Sequence, residues 1–425
     1  MKILHVNTQD YGGAAKAGIR LHLGLLEQGA DSNMLFLYQP RQAVPQSSFF
    51  RPEVTDPNYP TVFRRILYHL RSIAKSPALA KPRSVDAYIR RRPNGAEVFS
   101  RAVSGHDLSQ QTAYQQADIV HLHWVAGLVD YPLLFADKSK KIVWTLHDQN
   151  PFTGGCHYDE GCGRFRADCA LCPQLKDTDN PSFAQTALII KQQALANNRN
   201  LAIVCPSSWL LAQSQQSLLF RGRPHYHIAN GIDSEVFKPH DKRQARAALG
   251  LPPDKPILLF VADYIQSRRK GFDLMEAAHQ QLADQAQAFT WVIVAKDSHL
   301  APAHFHPLGS IESEAQMALA YSAADALIVP SREDNLPNTV VEALLCGLPV
   351  IGFPVGGIAG MIDHGRNGYL CTELDGGALA SAISWFAANR GNFLPGPIRQ
   401  GAVALYGLPQ QTQQYLQLYR QLYRT

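Results

Sequence analysis

The densest chemistry lies in one short stretch, Pro330-Ser331-Arg332-Glu333-Asp334-Asn335-Leu336-Pro337-Asn338-Thr339-Val340-Val341-Glu342-Ala343. A strand ends, an acidic loop follows and a helix begins. Asp334 and Glu342 have seven residues between them, a spacing that lets a loop carboxylate and a helical one point into the same crevice. Glu342 could take both hydroxyls of a ribose. The backbone N–H groups from Asn335 to Thr339 could meet sugar hydroxyls or phosphate, because the first turn of a helix leaves its amides without partners. A structural reading competes on equal terms. Thr339-x-x-Glu342 has the form of a capping box, in which Glu342 satisfies a backbone N–H.

Three other motifs fall where a doubly wound sheet places ligand groups, at the carboxyl ends of strands. Arg268-Arg269-Lys270-Gly271-Phe272 follows a strand, and its cations could neutralise a diphosphate; otherwise it is a solvated loop. His147, in Trp144-Thr145-Leu146-His147-Asp148, follows another strand and is either a ligand group or a satisfied structural histidine. Asp10-Tyr11-Gly12-Gly13-Ala14-Ala15 joins the first strand to a helix. Small residues there let a ligand approach the backbone. The segment is not a G-x-G-x-x-G, so a dinucleotide has weak support, and a plain strand–helix turn is the alternative.

Cys156, Cys162, Cys169 and Cys172 crowd into 17 positions and end in a CxxC. Four thiolates with that spacing suit a structural tetrahedral zinc, with His157 as an alternative ligand. A polar sub-loop of this length buries too little apolar surface to order itself, which a metal would remedy. Two disulfides or an iron–sulfur cluster are the other readings. Cys205, Cys346 and Cys371 sit singly in apolar settings and read as inert core thiols. The N-terminus reads as a strand running into a turn and not as a signal peptide, so a reducing cytosol is expected, where clustered cysteines favour metal.

Elements that position these motifs are legible as apolar runs: Ile3–Asn7, Met34–Tyr38, Ile119–His123, Lys141–Leu146 and Ala202–Pro206, then Ile257–Ala262, Trp291–Ala295, Ala326–Pro330 and Pro349–Phe353. Most lack strict alternation, as expected of strands covered on both faces. Helices fall between them, at Ala15–Gln28, Glu312–Ala323 and Thr339–Cys346 among others. Two such series predict two doubly wound, Rossmann-like α/β domains facing a cleft. Asn230-Gly231-Ile232-Asp233 marks the junction, giving residues 1–235 and 236–405. Residues 406–425 form a final helix with Gln alternating against Tyr and Leu, expected to pack back on the first domain. Ala343–Ile362 carries no charge over 20 residues, yet holds two prolines and five glycines, so it reads as a buried helix end, strand and loop and not as a membrane span.

The chain has 425 residues, 40 Lys+Arg and 35 Asp+Glu, for a formal charge of +5. Length and 46% hydrophobic content exclude a mini-protein and global disorder. The average conceals an asymmetry. Residues 64–101 hold ten Lys/Arg against two acids, +8, which leaves −3 for the rest. Phe63, Ile66, Leu67, Leu70 and Ala74 share one helical face there, with Arg64, Arg71 and Lys75 on another. Such a basic amphipathic insertion is compatible with an anionic membrane surface, or is a surface helix packed by its apolar side. The modest total gives no argument for nucleic acid.

In this order and spacing the motifs resemble those of the retaining glycosyltransferases of the GT-B fold, glycosyltransferase family 4 (group 1), of the bacterial exopolysaccharide and O-antigen type. The resemblance runs nearly end to end. It is carried by Gly12-Gly13-Ala14, Thr145-Leu146-His147-Asp148, Asn230-Gly231-Ile232-Asp233, Arg269-Lys270-Gly271, the Asp334…Glu342 pair, Gly356-Gly357-Ile358 and Asn367-Gly368-Tyr369-Leu370. It implies a hexosyltransferase moving a sugar from a nucleotide-sugar donor to a glycan or polyprenyl-diphosphate-linked acceptor. It further implies catalysis without a divalent ion, nucleic acid outside its partners, and a place in the cytoplasm, peripheral at the inner face of the plasma membrane. Glu342 matches the family's ribose-binding glutamate and Asp334 falls at the donor-sugar glutamate, one methylene shorter, with Glu333 as a substitute. Lys270 matches the diphosphate lysine. Tyr264 stands where the family has an arginine, so Arg268 or Arg269 would supply that charge. His147 matches a histidine near the reacting sugar, and Gly13, with Gly12, the loop beneath the donor phosphates. Asn335, Leu336, Asn338 and Thr339 complete the donor loop. Ala359 and Gly360 stand where relatives often carry a glutamate. A nucleotide-sugar epimerase of the same fold and a non-catalytic nucleotide-sugar or partner-binding protein are the alternatives.

Overall fold

A computed structural model describes residues 1–51, 92, 95–176 and 182–424. Their strands form two all-parallel sheets. The first contains β1 (Lys2–Asn7), β2 (Asp31–Phe36), β3 (Ser47–Phe49), β4 (Ile119–Leu122), β5 (Lys141–Thr145), β6 (Leu201–Cys205) and β7 (His225–His227) in the order β3-β2-β1-β4-β5-β6-β7. The second contains β8 (Ile257–Val261), β9 (Thr290–Val294), β10 (Phe305–Gly309), β11 (Ala326–Val329), β12 (Val350–Gly352) and β13 (Gly368–Leu370) in the order β10-β9-β8-β11-β12-β13. Central strands such as Leu201–Cys205 and Ala326–Val329 are buried at every position. That is why they read as unbroken apolar runs.

Each sheet starts at its middle, winds outward one way and then reverses. The reversals lie between β1 and β4 and between β8 and β11. At such switch points the loops leaving adjacent strands part and open a crevice. The loops after β1, β4 and β5 therefore face those after β8 and β11.

The expected strands are present, each within a few residues of its predicted ends. The three-residue β3, β7 and β13, and β10, were not foreseen as strands. All four lie at or next to a sheet edge, where one flank needs no apolar cover; His225-Tyr226-His227 and Phe305-His306-Pro307-Leu308-Gly309 read accordingly. The uncharged stretch from Ala343 resolves into a helix end, β12 and a loop. Among the described residues no helix is long and apolar enough to cross a membrane. Of the basic segment 64–101, only Arg92 and residues 95–101 are described; the amphipathic face from Phe63 to Lys75 lies outside the described residues.

The C-terminal helix, Leu408–Arg424, returns to the first domain. Tyr415, Leu418 and Tyr419 pack with Ile3, Leu21, Leu25, Ile119, Val143 and Val204. Tyr415 and Tyr419 place their hydroxyls 2.7 Å from Thr145 Oγ1 and 2.6 Å from His121 Nδ1. Contact is close enough that a Cβ on Gly24 would stand 2.5 Å from Thr412 Oγ1. The chain thus crosses between domains twice, near Ile232 and near Gly407. The two crossings are hydrogen-bonded to each other: Ile232 N–H donates to Tyr406 O at 2.9 Å and Leu408 N–H to Ile232 O at 3.1 Å.

Candidate active site

The loop after β11 carries Asp334 into the crevice. Its carboxylate accepts from Lys270 Nζ at 2.7 Å and Arg269 Nη1 at 2.9 Å. Both cations come from the short 3-10 turn Arg268–Lys270 beyond β8. Gly271 makes that approach feasible, since its φ is +72° and a Cβ there would lie 1.9 Å from Pro330 O. Burial alone would raise the Asp334 pKa, but Lys270 and Arg269 pull it down to about 2. Arg269 also pairs with Glu97 at 2.7 Å and lies over the Tyr158 ring, 4.3 Å from its centroid. Arg268, by contrast, is out at the surface beside Glu160. Neighbouring Glu333 accepts from Glu160 N–H at 3.2 Å. Burial, reinforced by Asp159, pushes its carboxyl up to about 8.

Glu342 lies in the helix Asn338–Leu345, and it does not cap that helix. The cap position is Pro337, with no side-chain cap bond. Thr339 is already inside the first turn, and Glu342 is too far along to reach back to the free amides. The capping-box reading therefore fails. Glu342 instead accepts from Tyr321 OH at 2.9 Å and from Arg20 Nη2, across the cleft, at 2.8 Å. Arg20 is held from the other side by Glu314, at 2.7 Å. Its Nη1 is buried without a partner.

The remaining loop residues stitch the cleft. Asn338 Nδ2 donates to Gly13 O at 3.0 Å and its Oδ1 accepts from Asn230 at 3.1 Å. Asn335 accepts from Ser207 Oγ at 2.6 Å and donates to the carbonyls of Leu146 and His147. Leu336 is buried in the second domain's core, and Thr339 is half-buried beside Asn338. Gly12, at φ +85°, precedes the helix Gly13–Glu27, and Gly13 faces this loop, a Cβ there lying 3.8 Å from Asn338 Nδ2. From behind, Gly357 N–H donates to Asp334 O at 2.9 Å.

His147 completes the first domain's side. It is half-buried after β5, bonded through Nε2 to His123 Nδ1 at 3.2 Å. Burial pushes its pKa down to about 4, so the ring is neutral at pH 7. Next to it, Asp148 accepts from His157 Nδ1 at 2.6 Å and Trp124 Nε1 at 2.9 Å. His157's other nitrogen meets Ser100 Oγ at 2.8 Å. With both ring nitrogens engaged, His157 is not placed as a metal ligand, contrary to the alternative drawn from sequence.

Cys156, Cys169 and Cys172 are buried and Cys162 half-buried in the loop that follows. Burial pushes the Cys169 thiol up to about 12 and also pushes the Cys156 thiol up. Among the described residues, three side-chain ligand atoms lie within 4.8 Å of one another at His5, His121 and His123, and not at the cysteines.

Residues 255–389 match the family model described as "Glycosyl transferases group 1". The match lies within the second domain. D-inositol 3-phosphate glycosyltransferase 2 of Catenulispora acidiphila is 36% identical over 172 residues, 36% of this chain and 40% of that protein. The chain thus spans well under two thirds of that relative's length. WcaC of Escherichia coli K12, named for colanic acid biosynthesis, is 25% identical over 83% of this chain and 82% of its own. The Anabaena protein HepE (Alr3699), solved in complex with UDP-glucose, superposes over 99% of this chain and 100% of its own with a TM-score of 0.65 at 17% identity. The fold is accordingly that of GT-B glycosyltransferase structures.

Sequence reasoning missed Arg20, Tyr158, Tyr321, His5 and His123. Arg20 sits seven residues after Gly13, on the same helical face by the 3.6-residue period, which would have aimed it at the same cleft. His121 and His123 alternate at period 2 beside His5, a recognisable ladder once the strand order is known. Tyr158 and Tyr321 left no signal.

Proposed function

We propose that the chain is a retaining glycosyltransferase, moving a hexose from a nucleotide-sugar donor to a glycan or lipid-linked acceptor in cell-surface polysaccharide biosynthesis. The observation that carries the reading is convergence. Lys270, Asp334 and Glu342 of the second domain meet Gly13 and His147 of the first at one cleft, bridged by Asn338 and Asn335. The group 1 match over the donor-side domain and the UDP-glucose bound by HepE support a nucleotide-sugar donor. WcaC supports the polysaccharide setting.

In this reading the ribose takes Glu342 in place of Arg20. Lys270, with Arg269 behind it, stabilises the charge that develops on the departing diphosphate. Those cations do not need a divalent ion to do so, and turnover is expected to survive chelation. The acceptor hydroxyl attacks from the face the diphosphate leaves. Donor ligands come from both halves, so binding closes the cleft.

The test is a panel of nucleotide sugars assayed for binding and for nucleotide release with and without acceptor glycans. Binding with acceptor-dependent release supports transfer. Appearance of an isomerised sugar without acceptor would mean an epimerase, and no binding across the panel would sink the reading. Two subsidiary proposals accompany it. The four clustered cysteines hold a structural zinc, shaping the acceptor side near His147, which stoichiometric metal analysis checks. The basic segment 64–101 rests on an anionic membrane, which flotation with anionic liposomes at low salt checks.

A further inference from the structure

Five histidines form one set of ring contacts toward the carboxyl ends of β1, β4 and β5, and the proposed reaction uses one of them. His5 on β1 and His121 on β4 are register partners on adjacent strands. His123 follows β4, His147 follows β5, and His22 lies on the helix Gly13–Glu27. Two are closed off by other groups. His121 meets Thr145 Oγ1 at 2.7 Å and Tyr419 OH at 2.6 Å, and His22 meets Ser32 Oγ at 2.7 Å and Pro45 O at 2.8 Å. The other three bond in series. His5 Nδ1 lies 2.9 Å from His123 Nε2, and His123 Nδ1 lies 3.2 Å from His147 Nε2. The series starts at His5 Nε2, buried and without a partner. It ends at His147 Nδ1, on the half-buried side chain at the cleft.

All three rings are neutral at pH 7, since burial lowers each pKa. A neutral imidazole has one donor nitrogen and one acceptor. In a hydrogen-bonded series, the choice at one end therefore dictates the choice at the other. In one arrangement the proton sits on His5 Nε2, and a buried N–H has no acceptor. In the other, His5 Nε2 is bare, His5 Nδ1–H donates to His123, His123 Nδ1–H donates to His147 Nε2, and His147 carries its proton on Nδ1. By extension of the backbone pattern, in which orphaned buried N–H groups are rarer than acceptors left short, the second is favoured.

We infer that His5 and His123 are positioning residues that fix His147 as its Nδ1–H tautomer, so that it meets the donor sugar as a hydrogen-bond donor and not as a base. The use of the tautomer rests on the transferase reading; the tautomer itself is a property of the free protein. Its test is a long-range proton–nitrogen correlation spectrum of protein labelled with 15N in its histidine rings, at pH 7, with His147→Asn to assign the signals. His147 is expected to show a protonated Nδ1 and a bare Nε2. His123→Leu cuts the series and converts His147 to a tautomer mixture. His123→Asn, whose amide N–H can replace the ring Nδ1–H, restores the wild-type form. The donor KM rises roughly tenfold in His123→Leu, the loss of about one hydrogen bond, and recovers in His123→Asn. A proton on His147 Nε2 in the wild-type protein overturns the proposal, and that measurement stands even where a variant does not fold. So does a His147 tautomer unmoved by His123→Leu. If no nucleotide sugar binds, the functional use falls, while the spectrum still decides the positioning role.

Discussion

The two faces of the cleft are built from opposite materials. On the second domain, Lys270, Arg269, Asp334 and Glu342 are closely paired, and the pairing of Asp334 with Arg269 holds both of those ionised against burial. On the first, His5, His123 and His147 are kept neutral by burial, and Gly12 and Gly13 offer backbone. The lesson is a division of labour. Under the proposed function, the face that receives a diphosphate has fixed charge arranged before the ligand arrives. The face proposed to meet the sugar offers directional hydrogen bonds from neutral groups.

The comparison breaks most sharply at Lys270. Lys270→Ala is expected to lower turnover by roughly 10²–10³-fold, the scale seen when one electrostatic group is removed from a transition-state site. Nucleotide release at saturating donor checks it. Next comes the more deeply buried of the places where the charged network crosses to the other face, Arg20–Glu342, the Arg269–Glu97 pair being another. Arg20→Met leaves buried Glu342 with Tyr321 alone and should destabilise the protein by about 3 kcal/mol, as breaking a buried pair does. Arg20→Met combined with Glu342→Leu should recover most of the loss in thermal melts, since the uncompensated charge is gone.

Smaller effects separate the faces by pH. For His147 the unfolded chain titrates near 6.5 and the folded protein near 4. Between those values the unfolded state binds the extra proton, so stability is complete above pH 6.5 and falls as pH drops toward 4. His5 and His123 act in the same direction. Melting temperature against pH should show this acid loss, reduced in His147→Asn. Glu333 works the other way. Its folded pKa of about 8 against an ordinary 4.5 means that the folded state holds the extra proton, so its contribution is lost as pH rises from 4.5 to 8. Glu333→Gln should flatten that part of the curve.

The sequence made the second face more legible than the first. Central strands of both sheets are buried on two sides, so Ala326–Val329 and Leu201–Cys205 announce themselves as apolar runs. Charge clusters at strand ends, Arg268–Lys270 and Glu333–Asp334, are likewise visible because such density is uncommon in a loop. Edge strands were lost because one flank is free of the core. The capping box failed because its register hinges on where the helix starts, and Pro337 moved that start by two residues relative to Thr339. Arg20 and the histidine series were lost for a different reason. Their partners, Glu342 at 322 residues' separation and His123 at 118, meet only once the sheets have been assembled.

The double crossing between domains carries a mechanical consequence. A single connecting strand is a swivel, free to bend and twist. Here the two connections are laced together at Ile232, Tyr406 and Leu408, and Gly231 is so tightly pressed that a Cβ would come within 2.9 Å of Leu408 Cα. Two straps pinned to each other resist the twist that a single strap allows. For the closure proposed above, that resistance favours a swing about one axis, which would return Glu342 and Asn338 to the same places opposite Arg20 and Gly13.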